Sequence, residues 1–351
     1  MHGLNGNMTK YSHGGDIYRN DIVLDFSVNG NPLGPPDTVL SLFSNTERFL
    51  TAYPDPDCAR LRAAIASRDG LSQDMIICTN GAAEFICCLV KAVSPKKGLI
   101  LTPAFSEYER CLEANNAECT FTSDEGAFLQ AIENVDIAFL CNPVNPTGVL
   151  LDRSFMDKAL KAAEEGDTWL VIDESFLRFL TDYESMTLRS VLKYNPKLVV
   201  VDSFTKIYAI PGLRLGYGMT ADRELKGQIK DMLPMWNVST IAQAAGIKAL
   251  EAKHYLEEAI AYLNDERQRL SQLLSGMGFK VTAGTADFLF FESSKELYKP
   301  LLSSGILIRD CNNYRGIGAS AFHYRIAIRK KEENDRLILL IKKLLDQKGS
   351  R

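Results

Sequence analysis

The sequence predicts an α/β protein: a mostly parallel sheet with helices on both faces, joined to a smaller α+β domain. Three observations lead there. From about residue 75 to residue 220, short apolar runs alternate with longer amphipathic segments, the pattern of strands joined by helices. Most of these runs are apolar on both faces, as strands covered by helices on each side must be. The last third changes to a long helix followed by separated strand candidates. A length of 351 residues, at roughly 150 per domain, fits about two domains.

The elements follow in order. Residues 1–45 carry Gly14-Gly15 and Asn29-Gly30-Asn31-Pro32-Leu33-Gly34-Pro35-Pro36, too many turn formers for a long helix. They read as an arm with at most an edge strand. Tyr53-Pro54-Asp55-Pro56-Asp57 is a second turn cluster, and Leu61, Ala64 and Ile65 then space as one helix face. The strand runs are Met75–Cys78, Leu99–Thr102, Cys119–Phe121, Ile137–Cys141, Trp169–Ile172, Leu198–Val201 and Leu215–Met219. A helix pattern over 253–275 shows Leu256, Ile260, Leu263 and Leu270 and stops at Gly276. Strand candidates Phe288–Phe291, Ile306–Arg309 and Phe322–Ile328 precede a last helix, Glu332–Leu345. The expected division is an arm, 1–45, contributing to the small domain; a large domain, 46–245; and a small C-terminal domain, 246–351.

Composition narrows the class without naming a function. Hydrophobic residues make up 46% and charged residues 24%, which excludes a disordered or low-complexity chain. Forty basic against 44 acidic side chains leave a net charge of −4, so no overall field draws nucleic acid or an anionic membrane. No apolar run approaches the ~20 residues of a membrane-spanning helix, and the N-terminus has no signal pattern. The eight cysteines form no C-x-x-C, and most sit in apolar runs. They are expected as reduced, buried thiols in a cytoplasmic protein. The four histidines lie far apart, so no protein-built zinc site is expected.

In open α/β sheets ligands sit beyond the carboxyl ends of the strands, so the residues after each run carry the chemistry. Thr79-Asn80-Gly81-Ala82-Ala83-Glu84 opens a helix with small residues, which suits a phosphate on free backbone N–H groups or simply close packing. Phe105, after Leu99–Thr102, is either a stacking aromatic or a core side chain. Asn142-Pro143-Val144-Asn145-Pro146-Thr147-Gly148 is a constrained loop that aims Asn145 at the strand ends. Asp173 ends a buried strand, where a carboxylate needs a cationic partner or serves as a helix cap. From Ser203 to Thr220 only Lys206 and Arg214 are charged, where composition would place about four charges. Lys206 is therefore expected to be partly buried, with a lowered pKa and a usable amine. A phosphate cradle, a stacking ring, an Asn, an Asp and an amine are the equipment for pyridoxal 5'-phosphate.

The motifs N-P-x-N-P-T-G and S-F-T-K…G-L-R-L-G-Y resemble those of the fold-type I pyridoxal-phosphate enzymes of the class I/II aminotransferase superfamily. The similarity runs from His13 to about Leu345. The resemblance implies a three-layer fold-type I architecture and a set of roles. Lys206 is the Schiff-base lysine, Asp173 meets the pyridine nitrogen, and Asn145 meets the ring 3-hydroxyl. Phe105 stacks on the ring. Gly81, Ala82, Ala83, Ser203 and Arg214 hold the cofactor phosphate. Tyr53 reaches the cofactor phosphate of a neighbouring subunit, implying a homodimer with shared active sites. Arg325 pairs with a substrate α-carboxylate, and Arg309 with a substrate phosphate.

Two groups within the superfamily are similar, the threonine-phosphate decarboxylases of cobalamin biosynthesis and the histidinol-phosphate aminotransferases. Both act on small phosphorylated amines. His13-Gly14-Gly15-Asp16-Ile17 and Asp25-Phe26-Ser27-Val28-Asn29-Gly30-Asn31-Pro32-Leu33-Gly34 resemble decarboxylase segments, making His13 and Asn31 candidate substrate contacts. Phe176 stands where transaminases usually carry a tyrosine. Ser175 and Val144 depart from the usual Ala and Asn. The resemblance implies decarboxylation of L-threonine O-3-phosphate to 1-aminopropan-2-yl phosphate. The alternative is an aminotransferase using histidinol phosphate or another amino acid with 2-oxoglutarate.

Overall fold

The computed structural model describes residues 14–346. Seven strands form the main sheet: β2 (Ile76–Thr79), β3 (Lys97–Leu101), β4 (Glu118–Thr122), β5 (Ile137–Cys141), β6 (Trp169–Asp173), β7 (Leu198–Ser203) and β8 (Gly216–Thr220). Their order is β2-β8-β7-β6-β5-β3-β4. All pairings are parallel except those of β8, which runs antiparallel to β2 and β7. The seven apolar runs of the sequence are these seven strands, with ends shifted by at most two residues.

Alternation along each strand divides the interior into two layers. On β7, Val199 and Val201 face one core while Leu198 and Val200 face the other. All six residues of β7 are buried, which explains why the run carries no polar/apolar alternation. Burying each such aliphatic side chain is worth about 1.5–3 kcal/mol. The helices Ala82–Val93 and Ser106–Ala114 cover one face, and Ala59–Asp69, Arg153–Glu165 and Thr240–Leu250 lie in the other layer.

A second sheet has the order β12-β13-β10-β9 and is antiparallel throughout: β9 (Lys280–Val281), β10 (Phe288–Ser293), β12 (Arg309–Asp310) and β13 (Phe322–Ala327). The expected strand over 306–309 is split in two. Its first half, β11 (Ile306–Leu307), pairs in parallel with β1 (Leu24–Asp25) of the N-terminal arm. Long helices Tyr255–Gly276 and Lys331–Asp346 pack beside this sheet.

One expectation needs correction. Cys87 and Cys111 form a disulfide, with Cα atoms 5.3 Å apart, between helices Ala82–Val93 and Ser106–Ala114. Nothing in the local sequence pairs two cysteines 24 residues apart on different helices; only the packing of those helices does. Cys58, Cys78, Cys88, Cys141 and Cys311 are buried free thiols, and Cys119 is half-buried. Among the described residues, no helix is long and apolar enough to cross a membrane.

Candidate active site

The carboxyl ends of β5, β6 and β7 open into a cavity of about 460 Å³, in the size range of small-molecule sites. It lies where the main sheet meets the second sheet and the arm. Lys206, Asp173, Asn145, Phe105, Ala82, Ala83, Ser203, Arg214, Arg309 and Arg325 all line it. Residues far apart in sequence thus converge on one space because parallel strands present the same end to it.

The cradle is built around glycines. Gly81 has φ +83°, a conformation open to glycine, and a Cβ there would lie 2.6 Å from Arg214 Nη2. Gly81 caps the helix Ala82–Val93 without any side-chain hydrogen bond, whereas Asp152, Asp222 and Ser239 cap their own helices through their side chains. The first N–H groups of that helix therefore meet the cavity beside the Arg214 guanidinium. Ser203 Oγ and Thr205 Oγ1, also lining the cavity, are 3.0 Å apart. Backbone N–H groups, two hydroxyls and a guanidinium around one point form a donor set for a phosphate.

Asp173 is buried at the end of β6. Its Oδ2 accepts a hydrogen bond from Tyr108 Oη at 2.6 Å and its Oδ1 one from Ser175 N at 3.0 Å. Burial pushes its carboxyl upward, and the bonds from Ser175 and Tyr108 hold it back. A cationic ring nitrogen is the partner such a carboxylate lacks. Tyr108 was not singled out from the sequence. It also stacks on Phe139 and stands edge-on to Phe105, which caps the helix Ser106–Ala114. Phe105, Asp173 and the phosphate donors all line this one cavity.

Lys206 sits on a one-turn helix, Phe204–Ile207, directly after β7. Burial and the Arg325 and Arg214 charges lower its pKa to about 8, against the opposing pull of Asp287 and Asp173. The sparse charge around Lys206 in the sequence anticipated this shift. The turn is held from the arm: Asn31 Nδ2 donates to Ile207 O at 3.0 Å, and Asn31 N donates to Lys206 O at 3.0 Å.

That contact revises the expectation for Asn31. Its Oδ1 accepts from Leu33 N, so its amide is occupied in fixing the lysine turn and does not line the cavity. Asn29, two residues earlier, lines the cavity instead, buried and with Oδ1 unpartnered. His13 lies outside the described residues. Tyr53 is 78% exposed, away from this cavity, and stacks on Trp236 at 4.2 Å.

The two remaining arginines come from the second sheet. Arg309 on β12 and Arg325 on β13 are direct cross-strand partners, so both side chains leave the same face. Arg325 donates through Nη1 to Asn145 Oδ1 at 2.6 Å and through Nη2 to Ser27 O at 2.7 Å. Arg309 donates through Nη2 to Asn313 Oδ1 at 2.9 Å and lies over the Tyr314 ring. Phe176, buried, places its ring edge-on to Phe288 and offers the cavity no hydroxyl.

Behind the site lies a buried ion network. Arg189 bridges Glu174, Asp69 and Asp202 at 2.8, 3.0 and 2.7 Å, and Arg178 bridges Asp69 and Asp202. Tyr217 Oη donates to Asp202 Oδ2 at 2.6 Å. Glu174 and Asp202 adjoin Asp173 and Ser203, so this network braces the ends of β6 and β7 from below.

Known proteins are similar to this chain in sequence and fold. The threonine-phosphate decarboxylase of Salmonella typhimurium is 32% identical over 355 residues, covering 95% of this chain and 96% of the relative. The crystal structure of the histidinol-phosphate aminotransferase from Clostridium acetobutylicum superposes with a TM-score of 0.85 at 31% identity, over 93% of this chain and 100% of that one. That of L-threonine-O-3-phosphate decarboxylase from Porphyromonas gingivalis does so with a TM-score of 0.83 at 26% identity, over 92% and 100%. The model of the family described as aminotransferase class I and II matches residues 21–341, and the chain belongs to that family of pyridoxal-phosphate-dependent enzymes.

Proposed function

We propose that this enzyme decarboxylates L-threonine O-3-phosphate to 1-aminopropan-2-yl phosphate. The observation that carries the reading is the register pair Arg309 and Arg325, two guanidiniums on one face of the second sheet, lining the cavity that holds Lys206. Such a pair suits a small amino acid with an anion at each end. Arg325, fixed by Asn145 and Ser27, is the fork for the α-carboxylate. Arg309 is the fork for the phosphate.

Pyridoxal phosphate fits the donor set described above and, when bound, supplies an electron sink for a bond broken at the substrate Cα. Gly81, Ala82, Ala83, Ser203, Thr205 and Arg214 would hold its phosphate, Phe105 its ring face, Asp173 its ring nitrogen and Asn145 its ring oxygen. Lys206 is the amine that carries the cofactor and afterwards holds or returns a proton at Cα. A lysine with a pKa of about 8 has a substantial free-amine fraction near neutral pH. The two arginines orient the substrate and so select the bond that breaks. The absence of a hydroxyl at Phe176 favours decarboxylation over transamination.

The same reading includes a homodimer. Leu50, Tyr53, Met235 and Trp236 are exposed, Tyr53 stacks on Trp236, and Tyr53 is the residue that would reach the neighbour's cofactor. It also sets the arm apart at 45/46, supported by the β1–β11 pairing that ties the arm to the C-terminal part, but moves the expected cut at 245/246 to the end of helix Thr240–Leu250, which runs through that point and packs in the main layer.

The test is direct. The holoenzyme is given threonine phosphate, and separately histidinol phosphate with 2-oxoglutarate. CO₂ from the first is expected, and glutamate from the second alone refutes the reading in favour of an aminotransferase. Arg309→Gln should raise KM for threonine phosphate by about 10²-fold, the weight of a charge-assisted pair of roughly 2–3 kcal/mol. An unchanged KM removes Arg309 from the phosphate site.

A further inference from the structure

A single acidic residue, Asp287, interrupts the apolar run Ala286-Asp287-Phe288-Leu289-Phe290-Phe291. It immediately precedes β10 and is 0% exposed. Its backbone carbonyl accepts from Ile328 N at 2.9 Å, so its place beside β13 is set by the sheet. Neither carboxyl oxygen has a hydrogen-bond partner. Arg325 Nε, on β13, is likewise buried and unpartnered. A buried carboxyl without partners costs several kcal/mol in general, and such a group persists where charge in the site compensates it.

The charges that act most strongly on Asp287 are positive. Lys206 comes from the turn after β7, Arg325 from β13 and Arg267 from the helix Tyr255–Gly276. Arg267 is occupied with backbone carbonyls, Nε to Ala286 O at 3.0 Å and Nη2 to Thr285 O at 3.0 Å. Arg325 gives one hydrogen of each Nη to Asn145 and Ser27, and neither bond goes to Asp287. Lys206 in turn faces Asp287 and Asp173 on the acidic side and Arg325 and Arg214 on the basic side. Asp173 is already engaged by Tyr108 and Ser175. Asp287 is therefore the acidic neighbour of Lys206 whose carboxyl has no hydrogen bond of its own.

We propose that Asp287 is a positioning residue of the active site: its carboxylate is the counter-charge that binds the Lys206 amine and the Arg325 guanidinium into one electrostatic cluster, and so governs how readily Lys206 gives up its proton. This rests on the reading of Lys206 as the cofactor-bearing amine. Lys206 titrates near pH 8 and Asp287 near pH 6, so at neutral pH the carboxylate is charged and favours the ammonium. Without that charge, burial and the two arginines act on Lys206 unopposed except by Asp173.

The experiment reads Lys206 itself and needs no substrate. The full-length protein is freed of cofactor and exposed briefly to pyridoxal phosphate between pH 5 and pH 10. The imine, formed from amine and aldehyde with loss of water, is reduced by borohydride hydride, and the labelled Lys206 peptide is quantified. The wild type should show a midpoint near 8, matching the structure. Asp287→Asn keeps the shape and removes the charge. Its midpoint should fall by about one pH unit, giving about fivefold faster labelling at pH 7. Asp287→Glu, which restores the carboxyl, should return the midpoint toward the wild-type value. If the Asn variant does not fold, Asp287→Ser removes the same charge and must show the same shift. A purely structural Asp287 would change the urea midpoint and leave the Lys206 profile in place, and that result overturns the proposal. A wild-type midpoint at the ordinary lysine value also overturns it. Labelling of a lysine other than Lys206 instead overturns the assignment of Lys206, a separate failure.

Discussion

Gly216→Ala should weaken cofactor binding by about 10²-fold while leaving the sheet intact. Gly216 is the first residue of β8 and lies against the start of the cradle helix. An added Cβ would overlap Ala82 N and sit 2.6 Å from Gly81 C and 2.9 Å from Ala82 Cα. Ordinary contact begins at 3.4 Å, so the Gly81 carbon must retreat by 3.4 − 2.6, about 0.8 Å. These are backbone atoms, which no side-chain rotation can move aside. The helix N-terminus and Gly81 therefore shift together, away from Arg214, Ser203 and Thr205. Misplacement by about 1 Å at a preorganised site costs on the order of 10²-fold. The assay is equilibrium binding of pyridoxal phosphate, followed by absorbance, with the urea midpoint of the cofactor-free protein as the control. Gly218→Ala, two residues along the same strand face, is the comparison. Its Cβ would overlap the ring of Phe85, one turn further along the same helix, so the clash falls on a core side chain and not on the backbone atoms of the cradle. It should lower stability while the folded protein keeps its cofactor affinity. Cofactor affinity of Gly216→Ala within threefold of wild type would refute the claim that this contact sets the cradle.

Two further predictions concern buried charge. Arg189→Met leaves Asp69, Glu174 and Asp202 short of a shared cation and should cost about 3–5 kcal/mol in urea unfolding at pH 7. Burial pushes Asp69 up, but the Arg68 and Arg189 guanidiniums outweigh it and hold its carboxyl below the usual value. A depressed carboxylate adds stability above its unfolded pKa of about 3.9 and loses it as pH falls. The gap between Arg189→Met and wild type should therefore narrow below about pH 4; a pH-independent gap contradicts the electrostatic account. Lys206 has the opposite sign. Its folded pKa of about 8 lies below the unfolded 10.5, so the unfolded chain binds more protons between those values. Stability of the cofactor-free protein should rise with pH across that window, and Lys206→Met should be more stable by roughly 3 kcal/mol at pH 7 with the difference gone above about pH 10.5. Equal stability of the two proteins at pH 7 would show that Lys206 is fully solvated.

The amino-acid order alone determined the parts list of this enzyme. Strand runs such as Leu198–Val201 are short and apolar because both faces are covered, and that local signal survives without a partner strand. The residues after each run were legible for the same reason: chain connectivity puts Asp173, Asn145 and Lys206 at strand ends wherever the strands lie. The sparse charge around Lys206 even anticipated its depressed pKa. The tertiary structure decided what depends on register and on contacts between distant segments. It made Arg309 and Arg325 neighbours, since cross-strand pairing is invisible in either strand alone. It sent Asn29 to the cavity and gave Asn31 to the lysine turn, a choice set by backbone direction across a tight turn. It paired Cys87 with Cys111 through the packing of two helices. It also showed Tyr108 behind Asp173 and Asp287 unpartnered beside Arg325. The lone Asp in an apolar run was a visible signal, but its meaning came from the cations that three other elements bring to it. Burial and opposing charge are properties of the assembled interior, and no sequence window contains them.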